Sequence, residues 1–264
     1  MMHSIFRNKS ARLFFILGGF FIANAIIAQF IGVKIFSFED SFGLQPMDIP
    51  LFGESFSFQL SAAVLVYPVI FVFTDIINEY YGAKGVKFLT YLTLALTGYS
   101  FFVVNSAILL APSQLFNLGT GMNESNNAFR GIFGQGTWVM VGTLAAFYVS
   151  QMTDIWIFRK VRRKTGNNKL WLRSTGSTLV SQLIDTFVML FIAFYLGKHI
   201  QGDLGNAWTW KQWLIAGTGN YIFRFLMAIV FTPVIYLLNG LIEMYFGLED
   251  ADLMKEAAMR KENG

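Results

Sequence analysis

Six long apolar stretches, at about 13–36, 58–81, 86–111, 131–158, 174–196 and 213–246, leave this chain few ways to fold. A helix of about 20 apolar residues crosses the roughly 30 Å hydrocarbon core of a bilayer. Inside that core every backbone N–H and C=O must be paired within the structure, so only helices or a closed barrel can cross it. Barrel strands alternate apolar with polar residues, and these stretches are continuous. The expected fold is an all-α integral membrane protein. A single transmembrane domain covers 1–264 as a six-helix bundle, and 247–264 forms a cytoplasmic tail. The stretches at 131–158 and 213–246 exceed one crossing, so they tilt or protrude.

The charges give the orientation. Only 14% of the residues are charged and 55% are hydrophobic, too few polar side chains to cover a water-soluble domain. Of the 20 Lys and Arg residues, fifteen fall on one side of the expected membrane. They are Arg7, Lys9 and Arg12, then Lys84 and Lys87, then Arg159 to Arg173, and finally Lys255, Arg260 and Lys261. Lys34, Arg130, Lys198 and Lys211 fall on the other side, and Arg224 lies inside the last stretch. Short loops rich in Lys and Arg stay in the cytoplasm, so both termini are expected there. The net charge of +4 is thus a topology signal and not a nucleic-acid surface. With no cysteine there is no disulfide, thiolate metal site or cysteine nucleophile. The first apolar stretch is too long for the core of a cleaved signal peptide.

Two loops outside the membrane carry patterns of their own. Ile35-Phe36-Ser37-Phe38 and Ser55-Phe56-Ser57-Phe58 alternate strictly and flank a Gly/Pro-containing centre. Such flanks suit a short β-hairpin, or equally an irregular loop whose Phe rings rest at the headgroups. The segment from Pro112 to Arg130, rich in Asn, Gly and Ser, reads as a flexible loop.

A charge in a membrane helix costs at least a few kcal/mol, so the polar positions within the stretches are informative. Asp75, Asn78 and Glu79 share one helical face, as do Thr178, Gln182 and Asp185. Asn220 and Arg224 are four residues apart. Asp154, five residues before Arg159, and Glu79 both have an interfacial reading. Asp185 is too deep to reach water and has a structural reading as the ion-pair partner of Arg224, with Asp75 as the other candidate. Asn24, Gln29 and Asn105 fit hydrogen bonds between helices, and Gly98 and Gly142 fit close helix packing. Val149-Ser150-Gln151-Met152-Thr153-Asp154 and Val180-Ser181-Gln182-Leu183-Ile184-Asp185 repeat V-S-Q-x-x-D on consecutive antiparallel stretches, through duplication or by chance.

Hydrolytic and phosphate-binding motifs are absent from the sequence, and His3 and His199 lie outside the stretches. No enzyme, cofactor or metal site is expected. An acid pair of Asp154 and Asp185 is the one catalytic alternative, and it lacks flanking motifs. Polar groups converging from several helices suit a carrier that binds a small solute within the membrane.

Thr74-Asp75-Ile76-Ile77-Asn78-Glu79-Tyr80-Tyr81-Gly82 resembles the T-D-x-x-N-E-x-Y-G signature of the queuosine precursor transporter family. The run from Leu170 to Thr186 resembles that family's L-W-x-R-x-x-x-S-T-x-x-S-Q-x-x-D-T segment. The resemblance spans about 11–246. It is weak in the first loop, which is longer here, and does not include the tail. It implies uptake of a 7-deazaguanine, the precursor of queuosine in tRNA, across a bacterial-type inner (plasma) membrane. It also implies kinship with six-span vitamin-binding subunits. A carrier, or a substrate-binding subunit, for another vitamin or nucleobase-like solute is the alternative. The partners expected are the heterocycle and the lipid bilayer, with a homo-oligomer or an energy-coupling module left open.

For such a solute, Asp75 or Asp185 can accept the adjacent N–H and NH₂ of a guanine-like edge, and charge-assisted hydrogen bonds of this kind are strong. Gln182 and Asn78 can donate and accept, and aromatic faces can stack on the ring. The candidate binding residues are Asp75, Asn78, Glu79, Gln182, Asp185, Asn220 and Arg224. Four of them, Asp75, Asn78, Gln182 and Asp185, are expected to line one cavity.

Overall fold

The computed structural model describes residues 8–45, 49–51, 54–56, 59–119, 121–166, 169–202, 205 and 207–263. Helix α1 (Lys9–Ile31) starts where the Asn8 side chain accepts the N–H groups of Ser10 and Ala11. Strand β1 (Ile35–Ser37) and the single turn α2 (Phe38–Ser41) follow. Three more short strands, β2 (Ile49–Leu51), β3 (Glu54–Phe56) and β4 (Gln59–Ser61), lead to helix α3 (Tyr67–Leu109). Then come α4 (Met122–Phe133), α5 (Thr137–Thr165) and α6 (Leu170–Leu190). The last of these continues through a π-helical segment, Phe191–Leu196, into α7 (Gly197–Ile200). Helices α8 (Trp210–Phe246) and α9 (Leu248–Asn263) complete the chain.

Five helical stretches among the described residues are long and apolar enough to cross a membrane. Their outward surface carries large apolar side chains such as Phe102, Val230 and Leu237. In water such a surface would drive association; in a bilayer it faces acyl chains. The protein is an all-α membrane protein.

Helix α3, at 43 residues, is about twice as long as a bilayer core is thick. It is not straight. Gly82 has φ 70° and ψ −178°, a conformation essentially reserved for glycine. A Cβ on Gly85 would lie 3.6 Å from Ile77 Cγ2, whereas eight residues of straight helix span about 12 Å. The chain therefore folds back at Gly82. The first arm meets α1 in antiparallel order: Tyr81 stacks against Phe14, Phe73 against Phe20, and Ser61, just before the arm, donates to the Gly32 carbonyl at 2.8 Å. The second arm meets it in parallel order, with Leu89 on Gly18 and Phe101 on Phe30. The main apolar core, including Phe21, Ala25, Ile76, Ile77 and Val86, fills the space between α1 and the two arms.

Helices α5 and α6 pack closely as a pair. Gly142 permits this, because a Cβ there would sit 3.1 Å from the Met189 carbonyl oxygen and 3.3 Å from the Ala193 nitrogen. Gly98 has no such role, since open space surrounds it. The tail is a docked helix: Ala251 and Ala258 of α9 are buried, and Lys255 pairs with Glu243 of α8 at 2.6 Å.

The 32–66 and 112–130 connections both differ from their sequence reading. Strand β1 pairs with β4 (Ile35↔Ser61, Phe36↔Leu60, Ser37↔Gln59), and β2 pairs separately with β3. The partner of the first flank is thus Gln59–Ser61 and not the alternating Ser55–Phe58. Leu60, wholly buried, packs with Phe36 and Phe38, which selects the later register. Ser57 and Phe58 of the expected strand lie outside the described residues. The 112–130 loop contains most of α4. Buried Ser125 accepts the Leu118 N–H, and Phe129 and Phe133 pack on Phe116 and Phe30. The Asn- and Ser-rich composition concealed that aromatic face.

Candidate functional site

Three polar layers cross the bundle, with α6 at their centre. The first is an ion cluster at the Gly82 end of α3. Arg173 of α6 binds Glu79 in two-pronged fashion, with Nε at 3.0 Å from Oε2 and Nη2 at 2.6 Å from Oε1. Arg162 of α5 lies 3.7 Å from the same carboxylate. Its guanidinium also donates to the main-chain oxygens of Asn78, Glu79 and Lys255. The break at Gly82 deprives the last turn of the first arm of its helical partners, and Arg162 supplies them. Both arginines are 1% exposed. They are structural groups, and Glu79 is buried between them.

The second layer holds two carboxylates. Asp75 of α3 accepts from Ser174 and, at 3.4 Å, from Thr178, both on α6. Asp154 of α5 is fully buried and accepts from Ser181 at 3.2 Å, with Ser177 also in reach. Asp75 and Asp154 thus meet neighbouring turns of the same helix, through Thr178 and Ser181. One oxygen on each, Oδ1 of Asp75 and Oδ2 of Asp154, is buried without a hydrogen-bond partner among the described residues. The same holds for both amide atoms of Asn78 and Gln151.

The third layer ties α6 to α8. Arg224 donates to Asp185 Oδ2 at 2.5 Å and to Gln182 Oε1 at 3.0 Å, and its guanidinium stacks 4.4 Å from the Tyr67 ring centre. This is the ion pair expected for a lone arginine in a membrane helix. Ser150 of α5 donates to the other oxygen of Asp185 at 3.4 Å. The repeated V-S-Q-x-x-D segments thus cross-link: the serine of each bonds the aspartate of the other.

Between α3, α6 and α8 a cavity opens, with about 450 Å³ of space including the part open to the outside. Its polar lining comes from Asp75, Thr175, Thr178, Gln182 and Arg224. Tyr67, Phe71, Phe223 and Phe231 provide aromatic walls, with Val72, Met227 and Ile235 among the aliphatic ones. Of the four residues expected to line one cavity, Asp75 and Gln182 do so. Asp185 stands behind the wall, holding Arg224. Asn78 lies one helical turn beyond Asp75, outside the lining. Glu79 belongs to the ion cluster. Asn220 bonds the Ala216 carbonyl of its own helix at 2.9 Å.

Sequence reasoning passed over Tyr67, Arg162 and Arg173. Tyr67 looks like one more aromatic at a span end, and the arginines are lost in a run of seven basic residues. A usable signal for Arg173 was its place inside the L-W-x-R segment.

The model of the family described as "Putative vitamin uptake transporter" matches residues 61–238, which include all three layers and the cavity. A "Probable queuosine precursor transporter" of Bacillus subtilis is 32% identical over 190 residues, covering 69% of this chain and 73% of the relative. The "Queuosine precursor transporter" of Escherichia coli is 26% identical, covering 67% of this chain and 72% of the relative. A "Probable queuosine precursor transporter" of Haemophilus influenzae is 25% identical, covering 69% of each chain. No solved structure matches the chain. The chain belongs to the family described as "Putative vitamin uptake transporter", with queuosine precursor transporters as its relatives.

Proposed function

We propose that the chain imports a queuosine precursor, a 7-deazaguanine, and holds it in the cavity between α3, α6 and α8. The observation that carries this reading is Asp75: a buried carboxylate on the cavity wall with one oxygen lacking a partner among the described residues. A guanine-like edge presents N–H and NH₂ side by side to such a group. Gln182 and Thr178 suit the ring's remaining polar atoms, and the aromatic walls suit its flat faces. No catalytic step is assigned to these residues.

The reading includes six membrane crossings, with the two arms of α3 counted separately because Gly82 folds them back on each other. It also places both termini in the cytoplasm of a bacterial-type cell and the bundle in the inner membrane. The clustering at one end of Lys9, the Gly82 turn, Arg162, Arg173 and Lys255 supports this orientation.

The test is tRNA queuosine content in a strain unable to make the precursor, grown with limiting 7-deazaguanine. The gene should restore the modified nucleoside. Asp75→Asn places a donor against the ligand's donors, a mismatch of about 1–3 kcal/mol, so it should weaken uptake by roughly one to two orders of magnitude. No gain of queuosine from the wild-type gene would remove the proposal. Full activity of well-expressed Asp75→Asn at limiting substrate would remove Asp75 from the site.

A further inference from the structure

We propose that Asp75 and Asp154 together bind one monovalent cation, a proton or Na⁺, whose gradient drives import; this rests on the uptake reading above. The two carboxylates belong to different helices, are 1% and 0% exposed, and accept from hydroxyls on neighbouring turns of α6, Thr178 for one and Ser181 for the other. Two neighbouring carboxylates cannot both stay ionised away from water unless positive charge joins them.

The surrounding charges leave this pair uncompensated. On α3 itself, Glu79 is already bound by Arg173 of α6 and Arg162 of α5. Asp185 of α6 is bound by Arg224 of α8, and Lys255 of α9 by Glu243. Helix α1 brings only Lys9 and Arg12, both in its first turn. Among the described residues neither Asp75 nor Asp154 makes an ion pair; their donors are the hydroxyls of Ser174, Thr178, Ser177 and Ser181. Hydroxyl groups stabilise an anion without neutralising it.

A second observation points to an occupant. Asn78 and Gln151 are 0% and 1% exposed, and no atom of either amide has a partner among the described residues. Asn78 lies three residues after Asp75 and Gln151 three residues before Asp154, so each amide shares the helical face of one carboxylate. Buried amides are almost always hydrogen-bonded. One orphaned amide on the helical face of each carboxylate adds oxygen ligands that a small cation can use. A proton would sit on one carboxylate, and Na⁺ would draw on the amide and carboxylate oxygens.

The site is also placed to couple. Asp75 lines the cavity and shares the hydroxyl-bearing face of α6 with Asp154. A cation that neutralises the pair changes the charge presented to the heterocycle, so each ligand alters the affinity for the other. With one cation carried per neutral heterocycle, an inward gradient of one pH unit sustains about ten-fold accumulation, since a ten-fold ratio is about 1.4 kcal/mol.

The experiment uses the full chain in proteoliposomes with labelled 7-deazaguanine. Exchange of label without any ion gradient tests the uptake reading alone. Accumulation is then measured under an inward proton gradient and, separately, an inward Na⁺ gradient. About ten-fold accumulation under the first identifies the proton, and under the second Na⁺; either supports the proposal. Exchange without accumulation under either gradient overturns it and leaves the uptake reading standing.

A substrate-free measurement covers the remaining case. Infrared difference spectra of the wild-type protein should show the C=O stretch of a protonated, buried carboxyl group that titrates with pH or vanishes on adding Na⁺. Asp154→Asn should abolish that response and the gradient-driven accumulation. An insensitive spectrum in the wild-type protein refutes the site even if Asp154→Asn fails to fold.

Discussion

Glu79→Gln separates structure from recognition at the family's own signature. The substitution keeps the shape of the side chain and removes its charge. In the native protein the Glu79 carboxylate, 1% exposed, accepts two hydrogen bonds from Arg173 and lies 3.7 Å from Arg162. The glutamine oxygen can still accept from Arg173, but its NH₂ meets a guanidinium donor, and two buried arginines lose the carboxylate they share. Breaking a buried ion pair by removing one partner costs about 3–5 kcal/mol. Each kcal/mol lowers the midpoint of a chain near this size by about 2–4 °C, so a fall on the order of 10 °C is expected. Fluorescence-detected size exclusion after graded heating in detergent reads that shift. Replacing Arg173 by Met in the same protein should recover part of it, because one stranded charge goes with it. The protein that remains folded should bind substrate with near-normal affinity, since Glu79 is not on the cavity wall. Wild-type heat stability in Glu79→Gln, or normal stability with lost binding, would refute the structural role.

Three other outcomes follow from the same geometry. Arg224→Leu strands Asp185 behind the cavity wall, so folded yield should fall, and adding Asp185→Leu should restore part of it; absence of any rescue by Asp185 substitutions would contradict the pairing. Gly82→Ala forces an L-residue to φ 70° and should cost about 1–3 kcal/mol, read as lower thermal stability, whereas Gly98→Ala, in open space, should be close to neutral. Because the chain has no cysteine, Glu124→Cys and Lys164→Cys provide clean topology probes: an impermeant thiol reagent added outside intact cells should label the first and not the second, and the reverse pattern would invert the proposed orientation.

Apolar run length is a local property, and it alone dictates a helical membrane protein, because the bilayer offers the backbone no other partners. The basic asymmetry is likewise written in the order of residues, as is the need of Arg224 for a carboxylate. Helical spacing also placed Asp75 with Asn78 and Glu79 on one face. What spacing cannot say is which neighbour each of those side chains meets. Three residues on one face part company in the folded protein: Asp75 turns to the cavity and to hydroxyls of α6, the Asn78 side chain is buried with no hydrogen-bond partner among the described residues, and Glu79 is clasped by two arginines that looked like loop charges. Asp185 and Asp154 occupy the same position in a repeated segment, yet one has a guanidinium and the other has only hydroxyls. That difference comes from α8, whose Arg224 reaches only one copy. Partner choice across helices depends on packing between segments up to about a hundred residues apart, as with Ser174 and Asp75, so only the tertiary structure could decide it.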